Sequence, residues 1–346
     1  MTLQQLLAIE LPIIQAPMAG VQGSALCLAV SNAGGLGSLP CAMLSVDAMG
    51  KELTAIKAHS NKPYNVNFFC HEAPLVSAER EATWRAALAP YYREFGIDVV
   101  SIPNGPGRTP FSVEFADVLQ EFKPPVVSFH FGLPSPELLA RVRSWGAKIL
   151  SSATTVDEAR WLETNGVDVI IAQGVEAGGH RGMFLCTDIT TQVGTFALLP
   201  QIIKAVNVPV VAAGGIADAK GVAGAMALGA AGVQIGTAYL LCPECTTTAI
   251  HRAALKSDAV KHTALTNLFT GRPARGIVNR IMRELGAMSA APPTFPLATA
   301  AIAPLRAKAE AMGSGDFSPL WSGQNASGCD EMSAAELTQK LGALVR

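Results

Sequence analysis

The sequence predicts an α/β protein: a (β/α)8 TIM barrel carrying a helical appendage near its C-terminus. Three observations carry that expectation. Short β-branched apolar runs alternate with amphipathic stretches from the start to about residue 240, the pattern of parallel βα units. Eight such runs occur, the number that closes a barrel. Glycines and polar side chains stand at the ends of several runs, where the βα loops of a barrel gather function.

Pro12-Ile13-Ile14-Gln15-Ala16-Pro17-Met18 reads as the first strand, and the helix after it runs from about Ser24 to Ala33, stopping at Gly34-Gly35. Leu36-Gly37-Ser38-Leu39 is the second strand; Ser45 caps a helix to about His59, and Tyr64 to Phe69 is the third strand. Residues 77–125 exceed one crossover. They hold a helix near 77–94, an apolar run from Val99 to Ile102, a Gly/Pro-rich loop at 103–110 and a helix near 112–121. Val126 to Phe131 is the fourth strand, and Ser135-Pro136 opens the next helix with a capping hydroxyl and a proline at the first turn. Lys148 to Ser151 is the fifth. Thr155-x-x-Glu158 predicts a capping box on a helix that ends at Asn165-Gly166. Val169 to Ala172 is the sixth strand and leads into Gln173–Gly182, with glycine at 174, 178, 179 and 182. A helix over 195–206 precedes the seventh strand, Pro209 to Gly215. Asp218 caps a helix whose Val222, Ala225, Met226 and Gly229 fall at helical spacing, and Gly232 to Thr237 is the eighth strand.

Beyond Thr237 the strand signals stop. Residues 247–312 read as mostly helical, interrupted at Gly271–Gly276 and by the prolines of 292–296, and a last helix from about Ser333 to Leu344 returns to the barrel. The expected division is therefore a barrel over 1–240, a mainly helical lid over 241–325 and a C-terminal helix within 326–346.

At 346 residues, 49% hydrophobic and 15% charged, the chain can bury a large core. A net charge of -1 gives no electrostatic reason to expect nucleic acid or an anionic membrane as partner. The first residues lack a basic stretch followed by an apolar core, and no run of about 18 apolar residues exists, so a cytoplasmic location is expected. Seven scattered cysteines suit a reducing compartment. Cys242-Pro243-Glu244-Cys245 lacks the second pair a zinc site would need, and no metal is expected.

The chemistry concentrates at strand ends. Gly214-Gly215 and Gly236-Thr237 follow strands seven and eight, where barrels bind phosphate on bare backbone amides aimed at a helix start. There is no Gly-Lys-Ser/Thr loop, and no Gly-x-Gly-x-x-Gly follows the first strand, which sets aside P-loop and dinucleotide folds. A phosphorylated substrate or flavin mononucleotide remains. His180 lies inside the glycine-rich stretch, a titratable imidazole presented on close-approach backbone. His130 projects from a strand end, where shaping a pocket and filling the core are equally good readings. His71 is a weaker candidate. Arg272 and Arg275 either draw anions toward the barrel mouth or, the favoured reading, form ion pairs between barrel and appendage.

Four stretches, Pro12–Gly20, Gly174–Gly182, Ala213–Asp218 and Gly232–Thr237, resemble the nitronate monooxygenases, formerly 2-nitropropane dioxygenases. Asn65–His71, Ser128–Gly132, Gly271–Gly276 and Leu320–Gln324 are similar to the class I branch of that family. The resemblance spans nearly the whole chain in order. It implies an FMN-dependent barrel that oxidises alkyl nitronates such as propionate 3-nitronate, with O2, to carbonyl compounds and nitrite. It further implies flavin contacts at Pro17, Met18, Ala19, Asn67, Gln173, Gly178, Gly179, Gly214, Gly215, Gln234, Ile235, Gly236 and Thr237. His180 matches the active-site histidine, with His130 beside it in the substrate pocket. Partners would be the small-molecule nitronate and O2, and the sequence is compatible with a homodimer. An FMN-dependent NAD(P)H reductase of quinone or enoyl-acyl-carrier-protein type is the competing reading on the same barrel. A flavin-binding sensor without turnover is the non-enzymatic one.

Overall fold

The computed structural model describes residues 1–102 and 108–345. Residues 103–107 of the Gly/Pro-rich loop expected at 103–110 lie outside them. In chain order the helices are α1 (Leu3–Leu7), α2 (Ser24–Asn32), α3 (Val46–His59), α4 (Ala78–Glu94), α5 (Val113–Phe122), α6 (Pro136–Arg143), α7 (Val156–Thr164), α8 (Thr195–Ala205), α9 (Ala219–Ala227), α10 (Ala249–Leu255), α11 (Arg280–Leu285), α12 (Ala298–Ala311) and α13 (Ala334–Leu341). The strands are β1 (Ile13–Gln15), β2 (Gly37–Pro40), β3 (Tyr64–Phe69), β4 (Val126–His130), β5 (Lys148–Ala153), β6 (Val169–Gln173), β7 (Gly179–His180), β8 (Val210–Ala213), β9 (Gly232–Ile235), β10 (Thr263–Thr266) and β11 (Ala274–Ile277).

Eight strands pair in parallel in the order β1-β9-β8-β6-β5-β4-β3-β2. A parallel bridge between Ile14 and Leu36 joins the two edges and closes the barrel. The (β/α)8 expectation is correct. The reason it was readable is burial on both faces: strands flanked by helices read as continuous apolar runs. Val66, Val127, Ile149, Ile170 and Ala212 meet the helical layer in one large core. Ile14, Leu150, Ile171 and Val211 pack instead with Leu3 and Leu7, so α1 plugs the barrel at the N-terminal ends of its strands.

Helix starts follow local chemistry. Ser45 Oγ accepts from Ala48 N, and Asp218 Oδ1 accepts from Gly221 N at 2.7 Å, each satisfying an orphan first-turn donor. The capping box expected at Thr155 forms only by half. Thr155 Oγ1 accepts from Glu158 N, but the Glu158 carboxylate turns away to Thr154 (2.7 Å to both N and Oγ1) and to Phe184 N (2.6 Å). A buried loop with unpaired amides outcompetes the helix's own first residue for that carboxylate.

Two features depart from the sequence reading. First, the segment read as helical contains a strand pair: β11 runs antiparallel to β10 and to β7, with Ala274 opposite His180 and Arg275 opposite Gly179. A two-residue strand has no period to detect, and its partner lies almost a hundred residues away. Second, α4 belongs with the late helices. Trp84, Leu88, Tyr91 and Tyr92 share a second core with Ile302, Leu305 and Phe317, and Tyr92 Oη donates to the Ala301 carbonyl at 2.7 Å. The apolar run at 99–102 holds a single 3-10 turn, Val99–Ser101. Among the described residues, no helix is long and apolar enough to cross a membrane.

Candidate active site

The carboxyl ends of the barrel strands open into a cavity enclosing about 1370 Å³, part of it continuous with solvent. Every residue expected to contact a flavin lines it: Pro17, Met18, Ala19, Asn67, Gln173, Gly178, Gly179, Gly214, Gly215, Gln234, Ile235, Gly236 and Thr237, together with His130 and His180. They come from six different strand ends, so only barrel closure brings them together.

One side is backbone. Gly214 (φ 116°) and Gly215 (φ 74°) adopt left-handed conformations that a side chain would strain. A Cβ on Gly214 would stand 2.8 Å from Thr195 Oγ1 and 3.1 Å from Ala177 N. Among the described residues, the amides of Gly215, Ile216 and Gly236 have no hydrogen-bond partner. They lie ahead of α9 and of the 3-10 turn Thr237–Leu241, so they form a cluster of free donors suited to an anion. The Gln234 Oε1 atom, in the strand between these loops, is buried and unpartnered. Thr237 Oγ1 accepts from Gly323 N at 2.9 Å and retains its own proton for donation.

The glycine-rich loop is held on all sides. Glu176 accepts from Thr195 N and Oγ1, and Arg181 spends its guanidinium on the carbonyls of Gln173 (2.6 Å) and Gly174 (2.7 Å) and on Gln192. Gln173 Nε2 donates to the His180 carbonyl at 3.0 Å, while its Oε1 accepts from Gly182 N at 2.7 Å. Asn67 donates both amide hydrogens to Ser128, leaving Oδ1 without a protein partner among the described residues.

The other side is side chains. His180 is buried and ringed by Phe69, Phe131, Phe295 and Trp321 at centroid distances of 5.4 to 6.0 Å. Its Nε2 meets Thr270 Oγ1 at 2.9 Å, and no described residue bonds its Nδ1. Burial, with the charges of Arg108, His130, Arg272 and His71 adding to it, holds this imidazole well below the ordinary histidine range. His180 is therefore neutral. His130 is neutral too, taken to about 3 chiefly by burial. Its Nε2 donates to the His180 carbonyl at 3.2 Å and its Nδ1 accepts from Ser152 at 3.1 Å, so both nitrogens are committed to holding the loop.

Among the described residues, the ion pairs expected of Arg272 and Arg275 do not form. Arg272 stacks on Phe131 at 3.9 Å and donates to the Met183 carbonyl; Arg275 donates to the Val175 carbonyl at 2.8 Å and to Thr263. Neither lines the cavity. Each uses a guanidinium to satisfy barrel-loop carbonyls, which saves burying a carboxylate as well. His71 donates from Nε2 to the Arg108 carbonyl at 3.0 Å.

Sequence reasoning missed Arg108, Phe69, Glu176, Trp321, Gly323 and Asn325 as lining residues, and Thr270 and Phe295 as neighbours of His180. For Trp321 and Gly323 a signal existed in the Leu320–Gln324 stretch. For Arg108 and Phe295, each next to proline-rich chain, composition announced only a turn.

The family profile described as nitronate monooxygenase matches residues 1–343. The chain belongs to the nitronate monooxygenase family. It is similar to the nitronate monooxygenase of Paraburkholderia phytofirmans, at 42% identity over 97% of this chain and 92% of that one. Nitroalkane oxidase from Streptomyces ansochromogenes superposes with a TM-score of 0.89 at 38% identity, covering 99% of this chain and 96% of that one. FabK from Thermotoga maritima is more distant, with a TM-score of 0.68 and 25% identity over 99% and 94%. The protein is thus an oxidoreductase of a family whose members are flavoenzymes. Its seven cysteines are all free; Cys242 and Cys245 are buried, with thiols pushed up to about 12 by burial.

Proposed function

We propose that this nitronate monooxygenase binds FMN and oxidises alkyl nitronates, with O2 as co-substrate, to carbonyl compounds and nitrite. The observation that carries the reading is a single cavity that joins an unpartnered amide cradle to a neutral, aromatic-walled imidazole. The residues fit FMN. Gly215, Ile216, Gly236 and the Thr237 hydroxyl offer donors to a phosphate. The orphaned Gln234 Oε1, the free Asn67 Oδ1 and the Gln173 amide offer the mixed donors and acceptors that the edge of a flavin ring requires. Gly178 leaves no room for a side chain, since a Cβ there would meet Gly323 N at 2.6 Å. When bound, FMN supplies the electron acceptor that the side chains lack.

The chain's own part is to bind and orient. Thr270 carries a hydroxyl that both donates and accepts, so it serves either neutral tautomer of His180. With the proton on Nδ1, His180 donates to a nitronate oxygen. With the proton on Nε2, its free Nδ1 takes a proton from the α-carbon of a neutral nitroalkane. The carbonyl clamp from Gln173 and His130 fixes the ring's backbone for both tasks. The Phe69, Phe131 and Phe295 walls exclude water, which strengthens each polar contact inside. The free cysteines support a reducing compartment, and we place the protein in the cytoplasm.

The test is direct. Purified protein should show the visible spectrum of oxidised flavin, release FMN on denaturation, and liberate nitrite from ethyl nitronate in air. Colourless protein that takes up no FMN would overturn the proposal. Rapid anaerobic bleaching by NADH, without nitrite release, would replace it with the reductase reading.

A further inference from the structure

Four arginines surround the loop that carries His180, and three are already spent. Arg181 and Arg275 saturate backbone carbonyls, and Arg272 is stacked on Phe131 and bonded to Met183. Arg108 differs. Among the described residues it is the cation that lines the cavity, its guanidinium has no hydrogen bond to any of them, and no carboxylate among them lies within ion-pair distance of it. The carboxylate lining the same cavity, Glu176, is engaged with Thr195.

Arg108 is half-buried; a guanidinium partly withdrawn from water without a protein partner is costly, and such groups persist where they have a ligand to meet. Burial alone takes Arg108 down to about 10. Its backbone, by contrast, is secured. His71 donates to its carbonyl, and Phe111 N ties the following residues to Phe69 O at 2.9 Å. The guanidinium carbon rests 5.8 Å from the Phe69 ring and 5.7 Å from the Phe295 ring. Those two rings also flank His180, at 6.0 and 5.4 Å. Cation and imidazole thus share one aromatic wall.

We propose that Arg108 is the specificity-determining anion receptor of this pocket, gripping a planar two-oxygen anion of the substrate beside His180. A guanidinium fork matches such an anion with two parallel N–H donors. Nitronates and carboxylates share that shape, so the anion is either the nitronate group itself or a carboxylate on its tail. Since His180 is neutral, Arg108 supplies the counter-charge the imidazole does not. This rests on the nitronate-oxidising reading above only for the identity of the substrate.

The experiment compares wild type, Arg108→Met and Arg108→Lys, each with its flavin content measured as a check of folding. KM and kcat are determined for ethyl nitronate, with one anionic group, and propionate 3-nitronate, with two. Propionate binding is followed by calorimetry as an unreactive probe. Arg108→Met should raise KM by about 10- to 100-fold, the loss of a charge-assisted hydrogen bond, with kcat changed far less. Arg108→Lys should recover part of the loss. An equal rise for both substrates assigns Arg108 to the nitronate group; a rise for propionate 3-nitronate alone, with propionate binding lost, assigns it to a tail carboxylate. Flavin-loaded Arg108→Met with both KM values and propionate binding unchanged overturns the proposal. Should wild type release no nitrite from either substrate, the functional reading fails, and propionate binding by wild type but not by Arg108→Met still supports Arg108 as the anion receptor.

Discussion

The glycine side of the cavity and its aromatic side are assembled by opposite means. The glycine side uses main-chain amides from the ends of two adjacent strands, β8 and β9, and its geometry comes from φ angles that few residues adopt. The aromatic side uses side chains at 69, 108, 131, 180, 270, 295 and 321, carried in by β3, the segment before α5, β4, the β7–β11 pairing and the late helical region. Backbone sites are fixed by the barrel itself and tolerate little change. Side-chain sites depend on the appendage and can vary without disturbing the barrel. The division leaves the anion cradle to the barrel and the shape of the pocket facing it to the appendage.

Breaking the glycine side should have the largest effect. Gly214→Val puts a β-branched residue at φ 116° with its Cβ 3.1 Å from Ala177 N and Gly174 O. Strain and clash together should cost several kcal/mol and distort the free amides, so the purified protein should lose its flavin absorbance and melt earlier. Retained flavin at wild-type stoichiometry would show that the amide cradle does not hold it.

Breaking the aromatic side should spare the cofactor and remove turnover. His180→Ala should lower kcat/KM for nitroalkanes by about 10²- to 10⁴-fold, the usual contribution of a positioned base, while the flavin spectrum persists. Nitronates, already deprotonated, should lose less. Equal losses for the two would sink the base role and leave only anion binding.

The smallest effect sharpens the contrast through pH. His130, half-buried, and His251, buried, are neutral, taken chiefly by desolvation to about 3 and about 4, while the unfolded chain titrates near 6.5. Between those values the unfolded state binds more protons, so stability present above about pH 6.5 is lost as the pH falls toward 3. His130 clamps the His180 carbonyl and His251 donates to the Trp321 carbonyl at 3.1 Å. Hydrogen exchange at mildly acid pH should therefore rise first around residues 180 and 321, with the β8–β9 loops unaffected. Uniform loosening would remove the distinction between the two sides.

The sequence by itself determined the barrel, the order of its strands, and the glycine turns at 214–215 and 236, because those features are local. Apolar runs record burial on both faces, and a left-handed turn must be written as glycine where it occurs. It also singled out His180, through the glycines around it. Only the tertiary structure decided what surrounds that imidazole. The β7–β11 pairing, the docking of α4 on the late helices, and the meeting of Arg108 with Phe69 and Phe295 are contacts between distant segments. Such contacts leave no periodic trace. A guanidinium spent on carbonyls, as in Arg272, and one left free, as in Arg108, are the same letter until the chain has folded.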